Sequence, residues 1–255
     1  MRERQVPEGA LRRPSRLRAL AELEANAASS AEALDRIARL ACRVLDVPVV
    51  LVNLVGADQQ RFVGCNGPEP WPSTREMPIT AGFCPFAVGA NEAYALRDAR
   101  SDPATAHNPA VERFGVVAYA GVPLRAADGE PVGTLCAVDY EPREWSESDL
   151  GVLSELAESA IAELQLLAAS RHLAWHHAGL EALSALPASL AQATTPDEVV
   201  EAVRPALERL RPSDVHVEDE LVVSFDDDRE LSDDDRAYLD AVGGIAALAL
   251  ARQAS

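Results

Sequence analysis

The sequence predicts an α+β protein whose strands pair antiparallel, with helices before and after them. The run Val49–Val55 is apolar on both faces and too short for a typical helix, which is typical of a central, covered strand. Val116–Leu124 and Val132–Val138 flank an Asp-Gly bend at Asp128, a pattern that predicts a hairpin. Apolar residues recur every three or four positions before and after this region, which indicates helices at both ends.

The chain begins with helices. Residues 1–14 hold two prolines and a glycine among arginines and are predicted to be a disordered leader. A helix follows from Ser15. A second helix is predicted to begin after Ser29 or Ser30, because serine is a good N-cap and Glu32 then lies in the first turn.

Between the first strand and the hairpin the chain is predicted to return and then cross the fold. Gln60–Cys65 is interpreted as an antiparallel return strand after a turn at residues 56–58. Four prolines between residues 66 and 78 predict a long loop. The remaining elements before the hairpin are a short helix, a strand and one or two helical turns, over residues 81–90, 94–99 and 108–114.

A long helix follows the hairpin. Ser146 caps it, with Glu147 and Asp149 in its first turn. An apolar stripe steps along it by three and four residues, and it fits packing on the sheet or pairing with a second subunit equally well. The stripe comprises Leu150, Leu153, Ala157, Ala160, Leu164 and Leu167.

The last third of the chain is predicted to be a separate, smaller piece. The predicted domain runs over residues 15–168, a connecting helix over 169–192, and an α/β tail over 193–255. In the tail, strands at 215–217 and 221–223 form one hairpin, and Ser232 caps a final helix. Two strands shield little apolar surface, so the small helical domain is expected to lean on a partner surface.

Composition excludes several classes of function. The formal charge is 23 − 41 = −18, which repels a phosphate backbone and argues against a nucleic-acid partner. Every basic residue is arginine, so lysine Schiff-base and P-loop chemistry are excluded. No apolar run approaches the roughly 18 residues of a membrane helix, and no apolar stretch follows the arginine-rich start. The sequence therefore predicts a cytoplasmic protein without a membrane partner.

A set of motifs resembles the GAF domain family over residues 31–167. In chain order they are Gly82-Phe83-Cys84, Leu96-Arg97-Asp98-Ala99, Asn108-Pro109, Tyr119-Ala120-Gly121-Val122-Pro123-Leu124 and Val132-Gly133-Thr134-Leu135-Cys136-Ala137-Val138-Asp139. The resemblance implies an antiparallel sheet of five to six strands, with terminal helices on one face and a pocket on the other. The C-terminal part resembles a truncated second GAF copy.

The resemblance leaves the cofactor unknown. GAF domains bind cyclic nucleotides, bilins, haem or other small molecules, or act as dimerising transmitters. Asn108-Pro109 followed by Phe114 departs from the cyclic-nucleotide signature, and Cys84 lacks the neighbouring histidine that is usual for a bilin. His107 is the only histidine of residues 1–170 that a haem could use.

The candidate ligand-binding residues are the aromatic, polar and cysteine side chains expected around the pocket. They are Phe62, Phe83, Cys84, Phe86, Asp98, Asn108, Tyr119 and Cys136. Cys84 is expected at a helix start, which favours a thiolate. Cys136 shares a strand face with Val132, Thr134 and Val138. Packing is the favoured alternative for both cysteines, and turn capping for Asn108 and Asp102.

No metal site is predicted. His172 and His176 lie one helical turn apart and can share an ion, but no third ligand accompanies them in the sequence. The aspartates at 226–228 and 233–235 lack the glycine and glutamate of a calcium loop.

These observations predict a bacterial sensory or regulatory GAF protein without catalytic residues or catalytic activity. It is expected to bind a small molecule or a partner protein in signal transduction. A homodimer through the terminal helices would act in trans on an effector kinase, phosphatase or regulator. The alternatives are a thiol-based enzyme of the free methionine sulfoxide reductase type and a haem or bilin sensor.

Overall fold

The computed structural model describes residues 8–101, 103–218, 220–225 and 231–253. Two compact units divide the chain, residues 1–170 and residues 171–255. The first unit holds the sheet and its flanking helices, and the second holds the tail. The helix α5 (Glu147–Leu190) contributes residues to both, so the predicted boundary after residue 168 falls inside a helix.

The first two helices differ from the prediction. α1 (Glu8–Leu11) is a helical turn with Leu11 buried, so the predicted disordered leader is ordered from Glu8, while residues 1–7 lie outside the described part. α2 (Pro14–Leu45) is one continuous helix, and the predicted break at Ser29 or Ser30 is wrong. Ser30 is buried within the helix, because the apolar face that packs on the sheet continues past it and outweighs its capping preference.

The sheet has six strands in the order β3-β2-β1-β6-β5-β4, each antiparallel to its neighbours. This confirms the predicted α+β class with a six-stranded antiparallel sheet. The strands are β1 (Val49–Val55), β2 (Gln59–Asn66), β3 (Glu76–Pro78), β4 (Tyr94–Leu96), β5 (Ala118–Arg125) and β6 (Pro131–Asp139).

A β-bulge in the hairpin decides which side chains of β6 face which side. Leu124 pairs with Gly133 and Arg125 with Pro131, so Val132 is an extra residue. Val132 therefore packs on the helix side of the sheet, and the expectation that it shares a face with Cys136 is wrong.

The sheet separates two apolar clusters. The helix-face cluster lies between the sheet and α2 and α5, and it takes Leu153, Ala157, Ala160 and Leu164 from the stripe on α5. Packing on the sheet is thus the role of these four residues. Gly64 on β2 permits a close approach of α2, since a Cβ there would lie 2.6 Å from the Cβ of Leu34.

The cavity-face cluster lies on the other side of the sheet. The loop from residue 67, α3 (Cys84–Ala90) and α4 (Pro109–Phe114) cover it. Trp71 is buried in that loop, and its indole NH donates to the Tyr140 hydroxyl at 2.9 Å. This cover encloses the side chains that point away from α2 and α5.

The second unit has its own core. It contains the end of α5, α6 (Pro196–Leu207), a 3₁₀ turn (Glu208–Leu210), the hairpin β7 (Asp214–Val217) and β8 (Leu221–Ser224), and α7 (Asp233–Gln253). Buried residues include Leu190, Val203, Leu207 and Val242. Ser232 precedes α7, and its hydroxyl accepts from the Asp235 amide at 3.1 Å. Among the described residues, no helix combines the length and apolarity needed to cross a membrane.

Candidate functional site

Two cysteine thiols lie in contact inside the cavity-face cluster. Cys84 is the first residue of α3, and Cys136 lies in β6 between Leu51 of β1 and Gly121 of β5. Their Sγ atoms are 3.7 Å apart, and both side chains are buried. The contact joins residues 52 positions apart, so it depends on the fold rather than on local sequence.

A tyrosine hydroxyl completes this arrangement. Tyr119 of β5 donates its hydroxyl hydrogen to Cys84 Sγ at 3.4 Å. To do so its ring bends over Gly121, where a Cβ would lie 2.1 Å from the tyrosine oxygen. Gly121 therefore provides the space that the hydroxyl occupies. Phe83 packs edge-on against the same ring, with the centroids 5.3 Å apart, and fixes its orientation.

The two thiols have opposite pKa shifts. The pKa of Cys84 is lowered, chiefly because the Cys136 thiol donates a hydrogen bond to its sulfur, with Thr134, Tyr119 and Asn53 contributing further and burial opposing. The pKa of Cys136 is raised well above its usual value, because its proton is held by Cys84 and because it is buried. These shifts favour the thiolate form at Cys84 and the thiol form at Cys136.

Two buried side-chain amides, on β1 and β2, add polar groups beside the two thiols and the tyrosine hydroxyl. The Asn53 side-chain NH₂ donates to the Gln60 side-chain oxygen at 2.6 Å, and the Gln60 NH₂ donates to the Pro78 carbonyl at 3.1 Å. Asn53 also pairs with Thr134 across β1 and β6. The sequence reasoning did not select these three residues. Their signal was available, since each is a polar residue within a buried strand, where polar side chains need partners.

The cavity beside the thiols is small. Its volume is about 20 Å³, which holds one water-sized molecule. Its walls include five of the predicted site residues, namely Phe62, Phe83, Cys84, Tyr119 and Cys136. Asn53 and Thr134 lie on the same face of the sheet and contribute hydrogen bonds to Cys84.

Three predicted site residues do not belong to the walls of this cavity. Phe86 stacks on Tyr94, with ring centroids 5.1 Å apart, at the edge of the cavity-face cluster. Asp98 accepts hydrogen bonds from the Arg100 backbone and side chain, and these lower its pKa. Asn108 caps α4 by accepting from the Ala110 amide at 2.9 Å. Asp102, for which capping was also predicted, lies outside the described residues.

The other two cysteines differ from the pair. Burial raises the pKa of Cys42, whose thiol contacts the Asn66 carbonyl oxygen at 3.7 Å. Burial and the nearby carboxylate of Asp35 raise the pKa of Cys65 to about 11. Both are therefore protonated thiols near neutral pH, and they provide an internal comparison for Cys84.

The fold defines an α+β domain with one helix-covered face and one face that encloses a cavity. Residues 30–164, more than half of the chain, match the GAF domain family model. The chain belongs to the GAF domain family, as the motifs indicated.

Individual proteins resemble parts of this chain. Over 148 residues it is 28% identical to a cyclic di-GMP phosphodiesterase of Pseudomonas aeruginosa, covering 56% of this chain and 24% of that protein. The chain thus spans about a quarter of that curated relative. A bacteriophytochrome structure from R. palustris is 13% identical with a TM-score of 0.57, covering 89% of this chain and 53% of the other, a likeness of fold alone. A type II free methionine-R-sulfoxide reductase structure from Thermoplasma acidophilum is 18% identical with a TM-score of 0.46, covering 57% and 96%.

The prediction that this protein has no catalytic activity is wrong. The curated relative, of which this chain spans about a quarter, is named as a phosphodiesterase. The sequence analysis considered the cysteines one by one, whereas the contact between Cys84 and Cys136 exists only in the folded chain.

Proposed function

We propose that this GAF domain is a regulatory module that responds to a small oxidant through the dithiol of Cys84 and Cys136. The observation that carries the proposal is the 3.7 Å contact between the two sulfur atoms beside a cavity of about 20 Å³. The cavity size favours a molecule such as hydrogen peroxide over a nucleotide or a tetrapyrrole. The polarised pair supplies both a nucleophilic thiolate and a resolving thiol.

The proposed reaction balances as a two-electron oxidation. The Cys84 thiolate attacks one peroxide oxygen, the O–O bond breaks, and hydroxide leaves and takes a proton to form water. Cys84 is now a sulfenic acid. The Cys136 sulfur then attacks Cys84 Sγ, a second water leaves, and the S–S bond forms. One peroxide is reduced to two waters while two thiols are oxidised to one disulfide, which a dithiol reductant reverses.

The oxidised state would move α3 toward the sheet. A disulfide brings two sulfur atoms to about 2.05 Å, so the pair must close by about 1.7 Å from its present distance. Cys84 is the first residue of α3, and Cys136 lies in β6. The two neighbours of Cys136 in the strand, Leu135 and Ala137, pack in the helix-face cluster together with residues of α5. Redox state at the cavity is thereby coupled to the packing of the long helix.

The long helix carries an exposed apolar row that supports the proposed homodimer. Leu166, Leu173 and Leu180 recur every seven residues, and each is about two-thirds exposed (67%, 69% and 65%). A seven-residue repeat of leucine on one helix face is typical of helix pairing. A second copy of α5 would cover this row, and a partner effector in trans would then sense the dimer.

The experiment is peroxide titration of the full chain. After alkylation of the remaining thiols, mass spectrometry is expected to find a peptide in which Cys84 is disulfide-bonded to Cys136. C136S should stop at a Cys84 sulfenic acid that dimedone traps, and C84S should form neither product. C65S is the matched control and should behave as the wild type. Oxidation of Cys42 or Cys65 before Cys84 would overturn the proposal.

The same dithiol favours a second candidate, a reductase for a small sulfoxide. There the sulfoxide oxygen leaves as water, the substrate becomes a sulfide, and the same disulfide forms. Free methionine sulfoxide with dithiothreitol distinguishes the two functions. Repeated turnover that C84S abolishes indicates the reductase, whereas reaction with peroxide alone indicates the regulatory dithiol.

A further inference from the structure

Two histidines of α5 and one aspartate of α7 converge in the second unit. His172 and His176 lie one turn apart on α5, with their Nε2 atoms 2.9 Å from each other. Asp234 lies in the first turn of α7, and its Oδ2 is 3.5 Å from His176 Nε2 and 3.9 Å from His172 Nδ1. Each residue offers one ligand atom within 4.8 Å of the other two.

The donor set suits a divalent late transition ion. Imidazole nitrogens and one carboxylate are ligands that Zn²⁺ and Ni²⁺ accept, whereas Mg²⁺ and Ca²⁺ prefer all-oxygen sites. With metal–nitrogen bonds of about 2.0–2.1 Å, two nitrogens 2.9 Å apart subtend an angle of about 90° at the ion. The two imidazole nitrogens are thus already close to the spacing of two adjacent ligands, and the Asp234 carboxylate lies 3.5 Å from the His176 nitrogen of that pair.

The surroundings leave room for further ligands. His172, His176 and Asp234 are 60%, 42% and 50% exposed, so water can complete the coordination. Asp233 and Asp235 flank Asp234, pairing with Arg236 and with the Ser232 backbone respectively. Both carboxylates are thus engaged in contacts at the start of α7.

The remaining histidines of the unit show what distinguishes this trio. His177 contacts Glu181 at 3.3 Å on its own helix, one carboxylate without a second imidazole. His216 contacts Asp214 through Nδ1 and Glu218 through Nε2, so its two carboxylates lie on opposite sides of the ring. Only the trio, among the described residues, places one possible ligand atom from each of three side chains within 4.8 Å of one another.

We propose that His172, His176 and Asp234 form a binding site for a Zn²⁺-like divalent ion that links α5 to α7. Water fills the open positions, and the site is structural or regulatory in this form. The sequence offered the two histidines but no third donor, because Asp234 lies 58 residues beyond His176 and reaches it only through the packing of the two helices.

The test is titration of the full-length protein with Zn²⁺ by isothermal calorimetry. We expect one site in the wild type, with H172Q, H176Q and D234N each weakening Zn²⁺ binding by about tenfold or more, since loss of even an outer-shell partner of a metal ligand typically costs that much. H177Q and H216Q are matched controls and should bind as the wild type does. All variants keep the four cysteines, so any zinc held by thiols is the same throughout.

A second measurement uses a tryptophan beside the site. The Trp175 ring lies 5.1 Å from the His176 ring, so Ni²⁺ at the site should quench its fluorescence. W175F should lose most of that quenching while keeping Zn²⁺ affinity, and Mg²⁺ should have no effect. A Zn²⁺ affinity of H176Q and D234N that equals that of the wild type would overturn the proposal. So would a loss of affinity in H177Q as large as the loss in those two variants. Circular dichroism of the metal-free variants verifies that they are folded.

Discussion

The two units of this chain place their reactive groups in opposite environments. In residues 1–170 the cysteine pair is enclosed by the sheet and its cover, with a cavity that holds one water-sized molecule. In residues 171–255 the His-Asp trio stands about half exposed on helices. Burial lets neighbouring donors set the chemistry of a thiol, whereas exposure leaves a ligand set open to an ion. Hydrogen bonds therefore determine the reactivity of the cysteine pair, whereas the concentration of a metal ion determines the occupancy of the His-Asp trio.

The largest expected effect tests the contrast between buried and exposed positions on α5, the helix that runs through both units. Leu164 is fully buried in the helix-face cluster, so L164A should lower the free energy of unfolding by about 2–5 kcal/mol. Leu173 is 69% exposed in the single chain, so at protein concentrations low enough to keep the chain monomeric L173A should change it by less than about 0.5 kcal/mol. Urea denaturation measures both.

The oligomeric state is a second measurement at Leu173, because this residue belongs to the leucine row of the proposed dimer. L173E should convert a dimer into a monomer in multi-angle light scattering, because it places a charge in the repeated leucine row. A chain that is monomeric in the wild type contradicts the dimer but leaves the stability comparison intact. A large loss of stability in L173A under monomeric conditions would instead mean that this leucine packs within its own chain.

The sequence predicted most of the first unit because its signals are local. The β-branched run of β1 and the Asp-Gly bend before Glu130 each determine an element within about ten residues. The break at Ser30 was wrong because capping preference is a weak local signal beside a continuous apolar face. The position of Val132 was wrong because a bulge reverses the alternation of a strand.

The candidate sites were harder to predict because they depend on contacts across the chain. Cys84 and Cys136 were selected individually, but their contact requires the start of α3 to lie over β6. Tyr119 was selected, yet its hydrogen bond to Cys84 requires the space above Gly121. Asp234 was considered only as part of an incomplete calcium loop, since nothing in the sequence places α7 against α5.

The buried pair makes a prediction about pH. Tyr119 donates to Cys84 and contributes to its lowered pKa, so Y119F should raise that pKa. A hydrogen bond to a charged group is worth about 1.5–3 kcal/mol, which corresponds to about 1–2 pH units. The rate of oxidation by peroxide, measured against pH, should reach its half-maximum at a higher pH in Y119F. At neutral pH the variant should react more slowly, since less of Cys84 is ionised.

A tyrosine of the second unit is the control for this variant. Tyr238 is also buried and donates its hydroxyl hydrogen to the Ala206 carbonyl at 2.9 Å. Y238F should lower stability by about 0.5–1.5 kcal/mol and leave the pH profile of Cys84 unchanged. A pH profile that is the same in Y119F and the wild type would mean that Tyr119 only packs against the thiol.

The smallest expected effect compares two helix caps. Thr195 caps α6 in a capping box, where its hydroxyl oxygen accepts from the Glu198 amide and the Glu198 carboxylate accepts from the amides of Thr194 and Thr195. T195A should cost about 1 kcal/mol of stability, and T195S should cost less. The pKa of Glu198 is lowered by these hydrogen bonds, so its contribution is present above the unfolded value of about 4.3 and is lost as pH falls through the folded value.

The corresponding cap in the first unit has a second role, which makes the comparison informative. Asn108 caps α4 and also donates to the Gly82 carbonyl at 3.2 Å, two residues before Cys84. N108A should therefore lower stability by about 1 kcal/mol and also change the rate at which peroxide oxidises Cys84, whereas T195A should change stability alone. The two readouts are thermal unfolding and the oxidation rate. If N108A leaves that rate unchanged, the cover of the cavity does not position the thiol, and the reactivity of Cys84 depends on its hydrogen-bond donors in the sheet.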